Sequence, residues 1–573
     1  MGAFYLSRRT QESGTEKTRA LETFTKQGFR EIRDLSNDTF DILYCRKING
    51  LADSVFTIDR DNFCISTGTL IYRGRIGGEA AETLFHDFSQ EQLHAEELFG
   101  NFAILLGLNG QIRLYNDPQG VYSIWHDQGK QSFSSSFPVL FEQATRLTVN
   151  PDAVYQQVFQ EATFGGDSLF REIRRMKVKT AYTIGNHCQP IAALQGPADP
   201  ARENDFEGHL RQIHDNLKNQ FEAIAHALGD NIDSALSGGY DSRLLLALLR
   251  EQGVMPRLHV YGKPEAADVI VAKRICKGEG INLSHEDKSD QPKISPTAFA
   301  DIVRQNFYAF QGSCADGILD NGTDLKTRRS RTENGRLQLN GGGGEVLRNF
   351  FYLPNRRYSV RELLWSFYSR FDPTTCTAHF SEARYYEHFE KQIQELIGQQ
   401  DKLDRETTEY LYAGFRCTYW MGQNNAINNQ FGWFLTPLVE ERLAREAHGI
   451  PIRFKNHGLF QAALIKKINP ALAAYPSDYG HAFDGPIPAK RRLKDLATLL
   501  RPPVLRKYLY RLHKRSRDSW PYYLGEDYLR EILPSGFQYM PRFFKLDRVT
   551  DEAQFKRICS IEYLLQHVGA KLE

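Results

Sequence analysis

A chain of 573 residues is too long for one ordinary hydrophobic core, so two or three domains are expected. Apolar residues make up 41% and charged residues 25%, and an aromatic content of 12% excludes a disordered chain. The formal net charge is +2, which gives no global attraction toward nucleic acid, and none is expected as a partner.

The opening MGAFYLSRRT lacks the apolar stretch of a signal peptide, and Leu6 stands where a myristoylation signal wants Ser or Thr. Apolar runs such as FAILLGL are far too short to span a bilayer, so a cytoplasmic protein with no transmembrane segment is expected. The cysteines Cys45, Cys64, Cys188, Cys276, Cys314, Cys376, Cys417 and Cys559 are scattered, with no CxxC and no metal-ligand spacing. They read as reduced, mostly structural thiols.

Residues 1 to about 200 predict a β-rich domain. FTID, FCISTGTLIYRG, FAILLGLNGQIRLYND, SIWHDQGKQSFSSS and TAYTIG are short runs bounded by Gly, Asn and Asp turns. The stretch AALQGPADPAREND, 192–205, reads as a linker. Beyond it, HLRQIHDNLKNQFEAIAHAL has apolar residues at helical spacing, and NIDSAL, SRLLLALLREQG and RLHVYG predict strand, helix and strand. A βαβ unit calls for a parallel sheet covered by helices, here over 205–490. Residues 360 to 470 are mainly helical in pattern. The last part, 490–573, reads as a helical extension that opens on a basic stretch, 488–517. Its plainer reading is a solvated helix pair broken at Pro502-Pro503, and its sharper one a docking surface for an acidic peptide, a glycan or a membrane face.

The chemistry concentrates in NIDSALSGGYDSRLLLALLR, 231–250. A strand that ends in Ser237-Gly238-Gly239 and runs into a helix makes an anion cradle, because glycines admit close backbone approach and the first helical amides are free. Ser237 and Ser242 add hydroxyls and Arg243 adds positive charge. Asp241 beside a phosphate needs a cation between them, and Mg²⁺ bridging carboxylate and phosphate oxygens is the economical choice. No Gly-Lys-Ser/Thr follows, which excludes a Walker loop, and the spacing is not that of a dinucleotide loop. A plain strand–helix turn would need one glycine at most and no Asp. A second glycine run, NGGGGE from Asn340 to Glu345, is entropically costly unless something packs closely against it.

SGGYDS resembles the SGGxDS pyrophosphate loop of the ATP pyrophosphatase (PP-loop) families, and its setting resembles the asparagine synthetase family. RLHVYGKPEAADVIVAKRICKGEGINLSHE, with Asp268, and RLQLNGGGGEVLRNFF are similar to that family's later motifs. GTLIYRG, ELFGNFAILL, IRLYNDPQGVYSIWH and FSSSFPVL resemble its N-terminal glutaminase-type domain. The resemblance spans residues 60 to 480. It implies a fold of α/β and α+β parts: an N-terminal-nucleophile-type β-sandwich, then a PP-loop parallel α/β synthetase domain with a helical C-terminal part.

It also implies a chemistry: a carboxylate attacks the α-phosphorus of ATP, pyrophosphate leaves, and an amine captures the acyl-adenylate. Ser237, Gly238, Gly239, Tyr240, Ser242 and Arg243 would hold pyrophosphate, together with Gly341, Gly342 and Gly343. Leu236, Val260 and Gly262 would line the adenosine through their backbone. Asp241 and Glu345 would hold Mg²⁺, and Arg348 would clamp phosphate. Asp241, Glu345 and Arg348 are thus the expected catalytic group.

Three departures limit what the resemblance carries. The family's nucleophilic cysteine at position 2 is Gly2 here, the nearest cysteine is Cys45, and its Asn-Gly is Thr67-Gly68, so no glutamine hydrolysis is expected. A lysine that supports transition-state charge falls near Asp478, with Lys466, Lys467 and Lys490 out of register. Glu-x-Arg before PFLD is replaced by Asn429-Gln430-Phe431 before Trp433-Phe434-Leu435, so aspartate is not the expected substrate. Losing the glutaminase while keeping the adenylating loops resembles the pattern of the β-lactam synthetases, the lasso-peptide cyclases and related members of that superfamily.

The expected activity is therefore an AMP-forming amide ligase acting on a small-molecule, peptide or sugar carboxylate. Its nitrogen would come from a substrate amine, free ammonia or a partner amidotransferase. Asparagine formation from free ammonia and a non-catalytic nucleotide-binding component of a complex stand beside it. A sulfurtransferase would want a persulfide cysteine near the loop. A homodimer is left open.

Overall fold

The computed structural model describes residues 2–9, 13–185, 187–194, 204–288, 292–312, 315–513 and 515–572. Cys314 and most of the 192–205 linker lie outside them. The seven described cysteines are free, and six are buried. Among the described residues, no helix is long and apolar enough to cross a membrane.

The first part is built from two antiparallel sheets face to face. One runs in the order Ile173–Arg175, Trp125–Asp127, Ser132–Ser134, Ala3–Arg8, Phe40–Cys45, Ile32–Asp34. The other has Phe63–Tyr72 and Leu98–Leu108 at its centre. Phe4, Leu6, Phe40 and Ile42 meet Phe63, Ile65, Ala103 and Leu105 between the sheets. The turn at Asn109-Gly110 has φ of 52° and 78°, as a tight hairpin of this twist requires.

Two helices were not legible in the predicted β pattern. Ser13–Lys26 covers the outer face of the first sheet, through Ala20 and Phe24 against Ala3, Tyr5 and Leu43. Gly77–Ser89 covers the second, through Ala80, Ala81, Leu84 and Phe85 against Leu70, Tyr72 and Phe102. The architecture is helix, sheet, sheet, helix. Both faces of each central strand are therefore buried, which is why AFYLSR and FCISTGTLIY lack polar alternation.

The second part carries a five-stranded parallel sheet in the order Leu283–Glu286, Arg257–Tyr261, Ile232–Ala235, Leu337–Leu339, Trp433–Leu435. The earliest strand in the chain is central and later strands flank it on both sides. That makes its carboxyl end a topological switch point, where open α/β sheets bind ligands. Helix Tyr240–Glu251 leaves from this point and is apolar on two sides. Leu244, Leu245, Leu248 and Leu249 pack toward helix Phe206–Leu228, while Leu246 and Ala247 join Val269 and Ala272.

Residues 524–570 share one large core with the helices Phe137–Gln143 and Pro151–Gln160. The end of the chain is thus built into the centre of the molecule. The junction of the two parts passes through Asn429. Lys47 Nζ donates to its backbone oxygen at 2.8 Å and to its side-chain oxygen at 3.0 Å, and Thr69 Oγ1 donates to that same oxygen at 2.8 Å. Ile48 and Asn49 N–H groups donate to the carbonyls of Gln430 and Phe431 at 3.0 and 2.7 Å. The departure at 429–431 is therefore a seam between domains.

Candidate functional site

After Ala235 the chain turns through Ser237, Gly238 and Gly239 in a knot of short hydrogen bonds. Ser242 Oγ accepts the Ser237 N–H at 2.9 Å and lies 3.0 Å from Ser237 Oγ. Ser237 Oγ accepts the Gly239 N–H at 3.3 Å, and Asp268 Oδ1 accepts the Gly238 N–H at 2.8 Å. The loop amides thus already point at anionic and hydroxyl oxygens, the atoms a phosphate would present.

Leu236 and Val260 are buried beneath the loop, and the Gly262 N–H donates to Glu286 at 3.1 Å. Asp478 sits against the loop, its N–H donating to the Gly238 carbonyl at 3.3 Å. Burial, then the neighbouring Asp268, raises its carboxyl. The Cβ of any larger residue at 238 would come 2.9 Å from that of Asp478, so this position admits only glycine.

The second loop packs directly on the first. A Cβ on Gly341 would lie 3.0 Å from the Ser242 nitrogen, and one on Gly344 only 2.3 Å from Asp241 Oδ1. Gly342 donates to the Asn340 side chain at 2.9 Å, and a Cβ there would meet Met421 at 2.5 Å. Gly343 has φ of 95° and faces Val439 and Leu438. Gly341 and Gly344 are what close approach to the first loop requires, while Gly342 and Gly343 make room for Met421, Leu438 and Val439.

This contact brings Asp241, Glu345 and Arg348 together. Arg348 Nη2 donates to Asp241 Oδ1 and Oδ2 at 3.1 and 2.9 Å and lies 3.3 Å from Glu345 Oε1. Gln461 Nε2 donates to Asp241 at 2.8 Å. Tyr412, on the π-helical turn Tyr412–Cys417, donates to Glu345 at 2.6 Å. Burial raises the Asp241 carboxyl; Arg348 opposes that rise and Glu345 adds to it. Burial also disfavours the Arg348 charge, but Asp241 and Glu345 overcome it and hold the guanidinium protonated.

Arg243 has a different neighbourhood. Its Nη1 donates to Tyr475 and its Nη2 to Pro476, both to carbonyls at 2.8 Å, and Phe483 stacks on it at 4.4 Å. It clamps segment 472–483 against the loop. Burial lowers its pKa to about 10.

Beside the cluster opens a cavity of about 250 Å³ lined by Tyr240, Glu345, Arg348, Tyr352, His457, Tyr479, His481 and Arg491, among others. Arg491 donates to Tyr352 at 3.2 Å and pairs with Asp495 at 3.1 Å, and Asp495 in turn lies 2.9 Å from His457. Both arginines that line it are already paired, Arg348 with Asp241 and Glu345 and Arg491 with Asp495. Lys466, Lys467 and Lys490 do not line it. Arg491, His457, Tyr479, Tyr412 and Gln461 carry no local motif and went unread in the sequence.

The donor set fits Mg²⁺. Two carboxylates on adjoining loops, with the remaining positions left to phosphate and water oxygens, are the usual protein share of such a site. Among the described residues no group of three or more His, Cys, Asp or Glu gathers for a metal, so substrate oxygens would have to complete it.

The position of the expected nucleophile is closed. Gly2 is buried, and a Cβ there would lie 2.5 Å from the Phe29 ring, so no cysteine fits without displacing that ring. Thr67 is buried, and Gly68 has φ of 84° and is wedged against Asn101.

No protein-family model matches the chain, and no curated protein does. Among solved structures it is similar to the glutamine phosphoribosylpyrophosphate amidotransferase of B. subtilis complexed with ADP and GMP. The identity is 9% and the TM-score 0.24, over 50% of this chain and 65% of that one, just under two thirds of its length. A structure described as the allosteric regulatory enzyme of purine biosynthesis is similar at 10% identity and TM-score 0.22, over 53% of this chain and 77% of that one. Likeness at these scores says nothing about chemistry.

Proposed function

We propose that the chain is an ATP-dependent, AMP-forming ligase of the PP-loop type that activates a carboxylate and passes it to an amine or ammonia. The observation that carries this reading is the joining of two glycine loops at the switch point of the parallel sheet, which sets a half-buried Asp241 beside Glu345 and Arg348. A Mg²⁺ ion held by Asp241 and Glu345 would neutralise phosphate charge. The amides of Ser237, Gly238 and Gly239 and the hydroxyls of Ser237 and Ser242 orient pyrophosphate, exchanging their internal partners for its oxygens. Arg348 and Arg491 line the neighbouring cavity and are the cations nearest to hand where the family's lysine is missing. The substrate is an anion small enough for that cavity, and glutamine is not the nitrogen donor within this chain.

A non-catalytic nucleotide-binding role is favoured by one observation: Asp268 already satisfies the Gly238 amide. Incubating the protein with ATP, Mg²⁺ and labelled pyrophosphate across a panel of carboxylates decides between them. Carboxylate-dependent label in ATP supports the ligase; nucleotide binding with no exchange for any carboxylate supports the second reading. Ammonia release from glutamine that a thiol alkylator abolishes would contradict the closed position at Gly2.

A further inference from the structure

At the junction of the two parts lies a small enclosed cavity of about 40 Å³ lined by Ser123, Trp125, Gln157, Thr163, Arg175 and Gln311, among others. Arg175 is 5% exposed, and its Nε and Nη1 find no hydrogen-bond partner. Ser123 Oγ and Trp125 Nε1 are likewise buried and unpartnered. Among the described residues no carboxylate pairs with the guanidinium: Trp125 and Tyr419 stack on it at 4.7 and 5.1 Å, and its own neighbour Arg174 takes Asp167. Stacking offsets only part of the cost of burying a cation. Arginine and indole N–H groups can only donate, so the unmet demand is for an acceptor with negative charge. A volume of this size admits one small ion or one to a few waters, and no larger ligand.

We propose that Arg175, Ser123 and Trp125 form a structural site for a small monoanion of the size of chloride, buried where the N-terminal sheets meet helix Thr418–Phe431. The test is bromide: crystals of the full-length protein soaked in bromide should give an anomalous peak within hydrogen-bond distance of Arg175 and Trp125. In solution, replacing gluconate by chloride at constant ionic strength should raise the Tm of the wild type and leave Arg175→Met unmoved. If the cavity shows no anomalous peak, or if chloride leaves the wild-type Tm unchanged, the site holds only water and the inference is overturned. The bromide arm decides even if Arg175→Met does not fold.

A second inference rests on the opposite face of the cavity-lining helix Ala489–Leu499. Among the described residues thirteen large hydrophobic side chains are exposed, and seven of them fall between 493 and 512. Leu493, Leu496 and Leu500 are 66, 46 and 66% exposed, and Leu505, Tyr508 and Leu512 are 57, 43 and 73% exposed. Leu493, Leu496 and Leu500 have i, i+3, i+7 spacing and make one apolar stripe on helix Ala489–Leu499 and its C-cap, and Leu505, Tyr508 and Leu512 continue it over the two short helices Pro503–Arg506 and Leu509–Leu512. Among the described residues Lys490, Arg492 and Lys494 flank the first stripe, exposed and without an ion pair. Residues 488–517 hold eleven Lys and Arg against the single acid Asp495; Arg491, Lys507, Arg511 and Arg515 are paired with carboxylates, which leaves the exposed cations beside the first stripe. A second copy seated face to face would set these cations against their own counterparts. An anionic lipid surface satisfies both features, the apolar stripe entering the acyl boundary and the cations meeting headgroups.

We infer that residues 489–512 dock the protein on an anionic membrane, with the Arg348–Arg491 cavity on the inner side of the same helix. The surface stands whether or not the ligase reading does. Co-sedimentation with phosphatidylcholine vesicles, with and without phosphatidylglycerol, tests it. Binding should require phosphatidylglycerol, weaken with salt, and fall at least tenfold in the triple variant Leu493→Ser, Leu500→Ser, Leu512→Ser, whose positions are exposed in the fold. Absence of binding to the anionic vesicles, or binding that the triple variant retains, overturns it. So does a homodimer in analytical ultracentrifugation that the same variant dissociates.

Discussion

Gly344 shows how narrowly the site is built. A methyl group at 344 would fall 2.3 Å from the carboxylate of Asp241, so Gly344→Ala must push one loop off the other. Overpacking of this kind costs about 1–3 kcal/mol, and the loss should be visible both as a lower Tm and as a collapse of pyrophosphate exchange. The same change at Gly280, where nothing lies within 4 Å, is the control. Its φ of 67° makes a small loss of stability the expected outcome there, with exchange intact.

Arg348 is the second residue on which the cluster depends. Removing it in Arg348→Met leaves Asp241 and Glu345 facing each other without a cation. The Asp241 carboxyl, which Arg348 holds down against burial, should then ionise less readily, so the variant should lose more stability at pH 8, where its charge is demanded, than at pH 5.5. A loss of Tm that is the same at both pH values would mean that Arg348 does not neutralise the pair.

At the scale of elements, much was legible and the misses have a physical pattern. The strands predicted from FTID, FCISTGTLIYRG, FAILLGLNGQIRLYND, SIWHDQGKQSFSSS and TAYTIG are present, as are the βαβ unit and the helix over HLRQIHDNLKNQFEAIAHAL. Their signals are local: turn glycines, β-branched runs and helical spacing. Helices Ser13–Lys26 and Gly77–Ser89 lie among strands whose two faces are both apolar, and their few buried residues did not stand out from that background. The clustering of Asp241, Glu345 and Arg348 was legible because each loop carries its own glycine signature. Arg491, His457 and Gln461 come from three distant segments, and no spacing connects them.

Asp117 and Glu440 line a small cavity between the two parts, where Glu440 accepts the Gly100 N–H at 2.8 Å. Burial pushes their carboxyls up to about 7 and about 8. An acid whose pKa is raised by folding binds its proton more tightly in the folded chain, so its contribution to stability is full at low pH and declines as pH rises through the interval between the two pKa values. For Glu440 that interval runs from the usual carboxylate range to about 8. Glu440→Gln should accordingly raise Tm at pH 8.5 and change it little at pH 5. A variant less stable at pH 8.5 would show that the ionised carboxylate is needed at this contact.

For the molecule as a whole, the proposed function rests on the Asp241 carboxylate at the switch point handling a nucleotide. The N-terminal sandwich offers no room for a nucleophile at Gly2, and its contacts through Lys47, Thr69 and Asn429 fasten it to the parallel-sheet part. What remains is the chemistry of the loops. Pyrophosphate exchange into ATP, measured with Mg²⁺ and a carboxylate panel in the wild type and in Asp241→Asn, tests it most directly. The expected result is carboxylate-dependent exchange in the wild type and none in a variant with wild-type Tm. Exchange that persists in the folded Asp241→Asn variant would contradict the role given to this residue and with it the ligase.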